Sequence, residues 1–143
     1  MELKIKGFDS LSTRELYEIA RARTEIFLLE QRIICQDFDR VDYDSLHCFL
    51  EEEGGGIAAY LRAFKDGEEI KIGRVLSIRH KMGLGSRLMR ESIPEIIKHF
   101  GKRRIALHAQ KQAQGFYEKL GFTVCSDEFL EEGIPHVEME LNA

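Results

Sequence analysis

The chain has 143 residues, with 21 basic against 25 acidic side chains and a formal charge of −4. That length fits a single domain over residues 1–143 with a core of its own, the acidic balance argues against a general nucleic-acid binder, and no apolar run is long enough to cross a bilayer. The first ten residues, MELKIKGFDS, lack the apolar centre of a signal peptide, so the cytoplasm is the default compartment. Cys35, Cys48 and Cys125 are odd in number with no C-x-x-C pair, and read as reduced, mostly buried thiols.

Residues 3–8 alternate apolar and polar side chains and predict a first strand. Ser12-Thr13-Arg14-Glu15 has the form of a capping box, with Leu11 and Leu16 placed as a hydrophobic staple, so a helix begins here and runs to about Glu30-Gln31. Leu16, Ile19, Ala20 and Phe27 form its apolar stripe; Arg23 on the same side is a snorkelling side chain or a polar cleft wall. Residues 33–45 lack a period. Asp37, Asp39, Asp42 and Asp44 suggest calcium, but a calcium loop starting at Asp37 needs Gly and Glu where Asp42 and Cys48 stand. The segment reads as a solvated acidic loop, or as an attractor for a cationic substrate.

Residues 47–51, 57–64 and 70–78 predict three strands in an antiparallel meander, joined through Glu52-Glu53-Gly54-Gly55-Gly56 and a turn at Asp66-Gly67. Leu84, Leu88, Met89, Ile93, Ile96 and Ile97 then follow helical spacing as far as Gly101, with a kink expected at Pro94. A strand over 104–109, a helix over 112–120, and strands over 122–125 and 137–141 complete the order. No repeat or linker intervenes, and a mixed sheet with helices packed on it is the natural architecture.

Between the fourth strand and its helix lies His80-Lys81-Met82-Gly83-Leu84-Gly85, with two glycines one residue apart. N–H groups at a helix start have no intrahelical partners and lie at the positive end of the dipole, so such a turn can hold a phosphate or can simply relieve a tight connection. A dinucleotide fingerprint would need glycine where Leu88 stands, and no G-x-x-x-x-G-K-[ST] string occurs.

This turn resembles the pyrophosphate-binding [QR]-x-x-G-x-[GA] turn of the GNAT superfamily of N-acetyltransferases, with His80 at the position usually held by Gln or Arg. Downstream, FYEKLGF at 116–122 is similar to the superfamily's last core helix and following strand, and Gln110 stands where Asn is frequent. Glu30-Gln31, Ile72-Gly73-Arg74-Val75, His108-Ala109-Gln110 and Glu132-Gly133-Ile134-Pro135-His136 resemble the ElaA-like branch. The resemblance implies an α/β (α+β mixed) acyl-CoA N-acyltransferase fold, with a mostly antiparallel sheet of six to seven strands flanked by about four helices.

It also implies acetyl-CoA as cosubstrate, no metal, and a small-molecule or peptide amine as acceptor. The residues implied at the cofactor are Leu76, Ser77 and Ile78 along the pantetheine, on a strand that the resemblance implies splays from its neighbour, His80, Lys81, Met82, Gly83, Leu84, Gly85 and Ser86 at the pyrophosphate, and Gln110 and Phe116. Tyr117 matches the tyrosine near the CoA sulfur and is the expected general acid. Glu30, His47, His108, His136 and a water remain open as the base; Arg62 and Arg74 can hold an acidic substrate group or pair with Glu residues. The cysteines lie outside both motifs, which favours direct transfer in a ternary complex over a covalent acetyl-enzyme. The alternative is a module that binds CoA without catalysis.

Overall fold

The computed structural model describes residues 1–79 and 82–142. Strand β1 (Glu2–Gly7) leads into helix α1 (Thr13–Arg23). The capping box forms: Ser12 Oγ accepts from the Glu15 N–H at 3.0 Å, and the Glu15 carboxylate accepts from the Ser12 N–H at 2.8 Å. Burial alone would push the Glu15 carboxyl up, but the Ser12 N–H, Lys6 and Lys4 hold it down at about 2. Helix α1 continues as a π-helical stretch over Thr24–Glu30, a widening that periodicity alone does not disclose.

Strands β2 (Leu46–Glu51), β3 (Ile57–Asp66) and β4 (Glu69–Ser77) form the expected antiparallel meander. Helix α2 (Leu84–Phe100) runs through Pro94 and ends at Gly101, whose φ of 92° suits glycine. Strand β5 (Arg104–Gln110), the short helix α3 (Gln114–Glu118), and strands β6 (Thr123–Val124), β7 (Phe129–Glu131) and β8 (Ile134–Asn142) follow.

The eight strands form one mixed, mostly antiparallel sheet in the order β1-β2-β3-β4-β5-β8-β6, with β7 also on β8. Among the described residues that is more than the expected six to seven, because β7 had no strand signal; the α-helices there number three against about four expected, the α3 region being a short 3₁₀ turn and five helical residues. Strand β7 closes a hairpin through Glu132 and Gly133, both at positive φ, so Ile134-Pro135 begins a strand instead of extending a turn.

Each sheet face has its own core. Leu50, Leu61, Ile70, Ile72, Leu107 and Ala109 pack with Leu88, Met89 and Ile96 beneath α2, whereas Phe49, Tyr60 and Leu76 pack with Ile19, Ala22 and Ile26 beneath α1. Ile72 and Leu76 share parity but face opposite sides. A β-bulge explains this: Gly73 pairs with Arg62 and Leu76 with Tyr60, so both Arg74 and Val75 stand opposite Leu61, and Arg74 adopts φ 55°. One inserted residue reverses the strand's faces.

Candidate active site

The bulge lies where the sheet opens. Strands β4 and β5 are parallel neighbours, yet they pair only at Ile70 with Ile105 and Lys71 with Ala106. Beyond those pairs they splay, and a cavity of about 360 Å³ fills the gap, bordered by Ile72, Gly73, Arg74 and Val75 of β4 and by Leu107, His108 and Gln110 of β5. Strand β4 uses its other edge for β3; the Ile78 N–H donates to the Ala58 carbonyl at 2.9 Å. Backbone alternation therefore directs Leu76 and Ile78 toward β3, and Val75 and Ser77 toward the gap. The Leu76 and Ile78 side chains pack under α1.

Helix α2 opens beside this gap. Gly83 caps it at φ 70°, and its first turn contains no acidic residue. A Cβ added at Gly85 would lie 3.5 Å from the Phe116 ring; that ring meets Tyr117 edge-on with centroids 5.0 Å apart, and Tyr117 borders the cavity. The two glycine-bearing and aromatic motifs, about 30 residues apart in sequence, thus form one continuous surface from helix start to strand gap. Met82 is exposed, Leu84 is half-buried, and the half-buried Ser86 hydroxyl accepts from Arg90 on the next turn. His80 and Lys81 lie outside the described residues.

Tyr117 is buried, and burial raises its phenol above the ordinary value, so it is protonated at neutral pH. Gln110 donates to Gln31 Oε1 and accepts from Gln112 Nε2, each at 2.9 Å, which ties the end of β5 to the segment after α1. These donors and the open strand edge suit a long, hydrogen-bonding, phosphate-bearing ligand. Among the described residues, no group of three His, Cys, Asp or Glu side chains is arranged to hold a metal, and no helix is long and apolar enough to cross a membrane.

Three of the four aspartates of the acidic segment, Asp37, Asp39 and Asp42, are held by arginines, and Asp44 is exposed. Fully buried Arg23 donates to Asp37 Oδ2 at 2.9 Å and Asp42 Oδ1 at 2.6 Å while stacking on Phe38, so it does not snorkel. Arg62 forks onto Asp39 at 2.8 and 2.9 Å, and Arg74 reaches Asp37 at 2.8 Å. The Arg62 fork holds the Asp39 carboxyl down at about 2. The partners are aspartates and not the expected Glu residues, because pairing across 23 and 37 residues carries no local signal.

Of the base candidates, His108 and His136 border the cavity and Glu30 and His47 do not. His47 is buried, with Nδ1 2.7 Å from the Tyr60 hydroxyl and Nε2 2.9 Å from the Asp42 carbonyl; it is a satisfied core histidine whose pKa burial lowers. Cys35 also differs from expectation, being exposed at the cavity. Burial pushes the Cys48 and Cys125 thiols up, to about 12 and about 11, and raises Cys35 as well.

A mixed sheet split between two parallel neighbours, with a helix start at the mouth and a protonated tyrosine within, is the architecture of acyl-CoA N-acyltransferases. The chain belongs to the GNAT acetyltransferase family: residues 30–143 match its acetyltransferase (GNAT) domain. It is 36% identical to a UPF0039 protein of Schizosaccharomyces pombe, over 99% of this chain and 97% of that one. It superposes on an acyl-CoA N-acyltransferase from Pseudomonas aeruginosa with a TM-score of 0.92, at 30% identity and full coverage of both chains. For Escherichia coli ElaA the TM-score is 0.90, at 28% identity and 97% of each chain.

Proposed function

We propose that this protein is an acetyl-CoA-dependent N-acetyltransferase that passes the acetyl group directly to a primary amine in a ternary complex. The observation that carries the reading is the continuous surface from the α2 start through Gly85, Phe116 and Tyr117 into the gap between β4 and β5.

In this reading the N–H groups from Met82 through Ser86 hold the pyrophosphate, together with the backbone of His80 and Lys81. The free edge of β4 at Val75 and Ser77 aligns the pantetheine as an added strand, over the packed side chains of Leu76 and Ile78, while Gln110 and Phe116 border it from β5 and α3. An N–H of the β4 edge offsets charge on the carbonyl oxygen as the amine nitrogen bonds to the carbonyl carbon. When the carbon–sulfur bond breaks, the Tyr117 hydroxyl gives its proton to the departing thiolate. None of the three thiols is held as a thiolate, which supports transfer without an acetyl-cysteine.

Release of CoA thiol, followed against a panel of primary amines, tests this. Turnover above acetyl-CoA hydrolysis is expected with at least one amine class. If acetyl-CoA binds by calorimetry and no amine supports turnover, the protein is a CoA-binding module; equal affinity for ATP would make it a general nucleotide binder.

A further inference from the structure

The scheme above leaves unassigned the proton that an amine carries into the cavity. Strand register places His108 of β5, His136 and Glu138 of β8, and Glu131 of β7 on the α1 side of the sheet, because Leu107, Ala109, Val137 and Met139 face the core beneath α2. Tyr117 belongs to that opposite core. The cavity passing through the split sheet therefore has the tyrosine at one face and the two histidines at the other.

Glu131 stands between the imidazoles. Its Oε1 accepts from His108 Nδ1 at 2.7 Å, and its Oε2 lies 3.5 Å from His136 Nε2. His136 is buried and its ring is stacked on Phe129, with centroids 6.0 Å apart. Its Nδ1 is 2.7 Å from the Ile134 carbonyl oxygen, which can only accept, so Nδ1 carries the hydrogen and Nε2 of the neutral ring is the atom that takes up a proton. Among the charged groups at the cavity, Arg23 and Arg74 both pair with Asp37, while Glu131 and Glu132 leave carboxylate in excess. That charge suits an acceptor arriving as an ammonium ion.

We propose that His136 is the catalytic base: Nε2 removes a proton from the incoming primary ammonium, and the Glu131 carboxylate stabilises the imidazolium that forms. The assignment rests on the acyl-transfer reading. Two protons leave the nitrogen. The first passes to His136 Nε2 before attack and then to solvent; the second is lost as the amide forms, and restores the Tyr117 hydroxyl that protonated the sulfur. The titratable groups facing His136 are Glu131 and, through it, His108, which Glu138 approaches at 3.9 Å; Glu132, Cys35 and Tyr117 share the cavity.

The test is His136→Asn, whose amide can still donate to the Ile134 carbonyl but has nothing at the Nε2 position. With a simple primary amine at pH 7, kcat is expected to fall about 10²-fold or more, while acetyl-CoA affinity stays within about twofold. As pH approaches the amine's own pKa near ~10, the acceptor arrives already neutral and the deficit should close to less than about tenfold. A deficit of constant size at every pH, or none at pH 7, overturns the assignment. His136→Gln serves as the second variant if lost acetyl-CoA affinity reveals a damaged fold in the first. Wild-type turnover with an unaffected variant removes His136 alone, whereas a wild type inactive toward every amine removes the acyl-transfer reading and this assignment with it.

Discussion

In the proposed reaction Tyr117 combines two demands that rarely coincide: its ring is part of the core and its hydroxyl must serve chemistry. Phe116 and Phe122 pack edge-on against it, at 5.0 and 6.0 Å between centroids, so removing one oxygen leaves the packing intact. Tyr117→Phe is therefore expected to lower kcat about 10²-fold with acetyl-CoA affinity unchanged, a split that steady-state kinetics and calorimetry read separately. Gly85 makes the opposite case. A single Cβ there meets Phe116 in ordinary contact, but the added branches of valine would crowd that ring. Gly85→Val should abolish acetyl-CoA binding measurable by calorimetry, while replacing the His80 side chain should weaken it only mildly, because in the proposed binding mode backbone donors do the holding. Both motifs were legible because their residues are neighbours in sequence. The choice among the histidines was not: His47 and His136 look alike as letters, and only register shows one bound to Tyr60 and the other bordering the cavity.

Among the elements, the capping box of α1 and the β2–β4 meander followed directly from local patterns, since caps and alternation act over a few residues. The segment over 33–45 did not, because its order comes from arginines on α1, β3 and β4. Strand β7 was missed for a related reason: its three residues and Glu-Gly turn are held by β8, and nothing local marks them. This dependence on ion pairs has a pH signature. The Glu15 and Asp39 carboxyls fall from ordinary values of 4.5 and 3.8 to about 2 in the fold. A depressed carboxyl contributes its full stability above its unfolded pKa and loses it as pH falls through the folded one. The melting temperature should thus hold steady down to about pH 4.5 and decline toward pH 2. Glu15→Gln should start lower at neutral pH and decline less steeply; calorimetric melts across that range check both.

At the scale of the whole molecule the sheet is two halves, β1–β4 and β5–β8, joined through two residue pairs. Local patterns revealed every strand but β7, whereas the seam was implied by the family resemblance alone, because a splay is the absence of a pairing and absence leaves no letter pattern. The bulge at Arg74 and Val75 is equally silent, although it sets which backbone groups reach the cavity.

That seam makes an unusual prediction about solvent exchange. Central strands normally hold the slowest-exchanging amides of a domain, protected up to the global unfolding free energy. Here Val75 and Ser77 sit mid-sheet but turn their N–H groups into an open gap, so their hydrogens should exchange quickly in the free protein, as fast as the solvent-facing alternate amides of the edge strand β1 and faster than the β1 amides that bond to β2. Adding acetyl-CoA should slow those two amides selectively, as seen by residue-resolved hydrogen–deuterium exchange. If Val75 and Ser77 are already as protected as Tyr60 before ligand is added, the inner edge is closed in solution and the added-strand mode of binding fails.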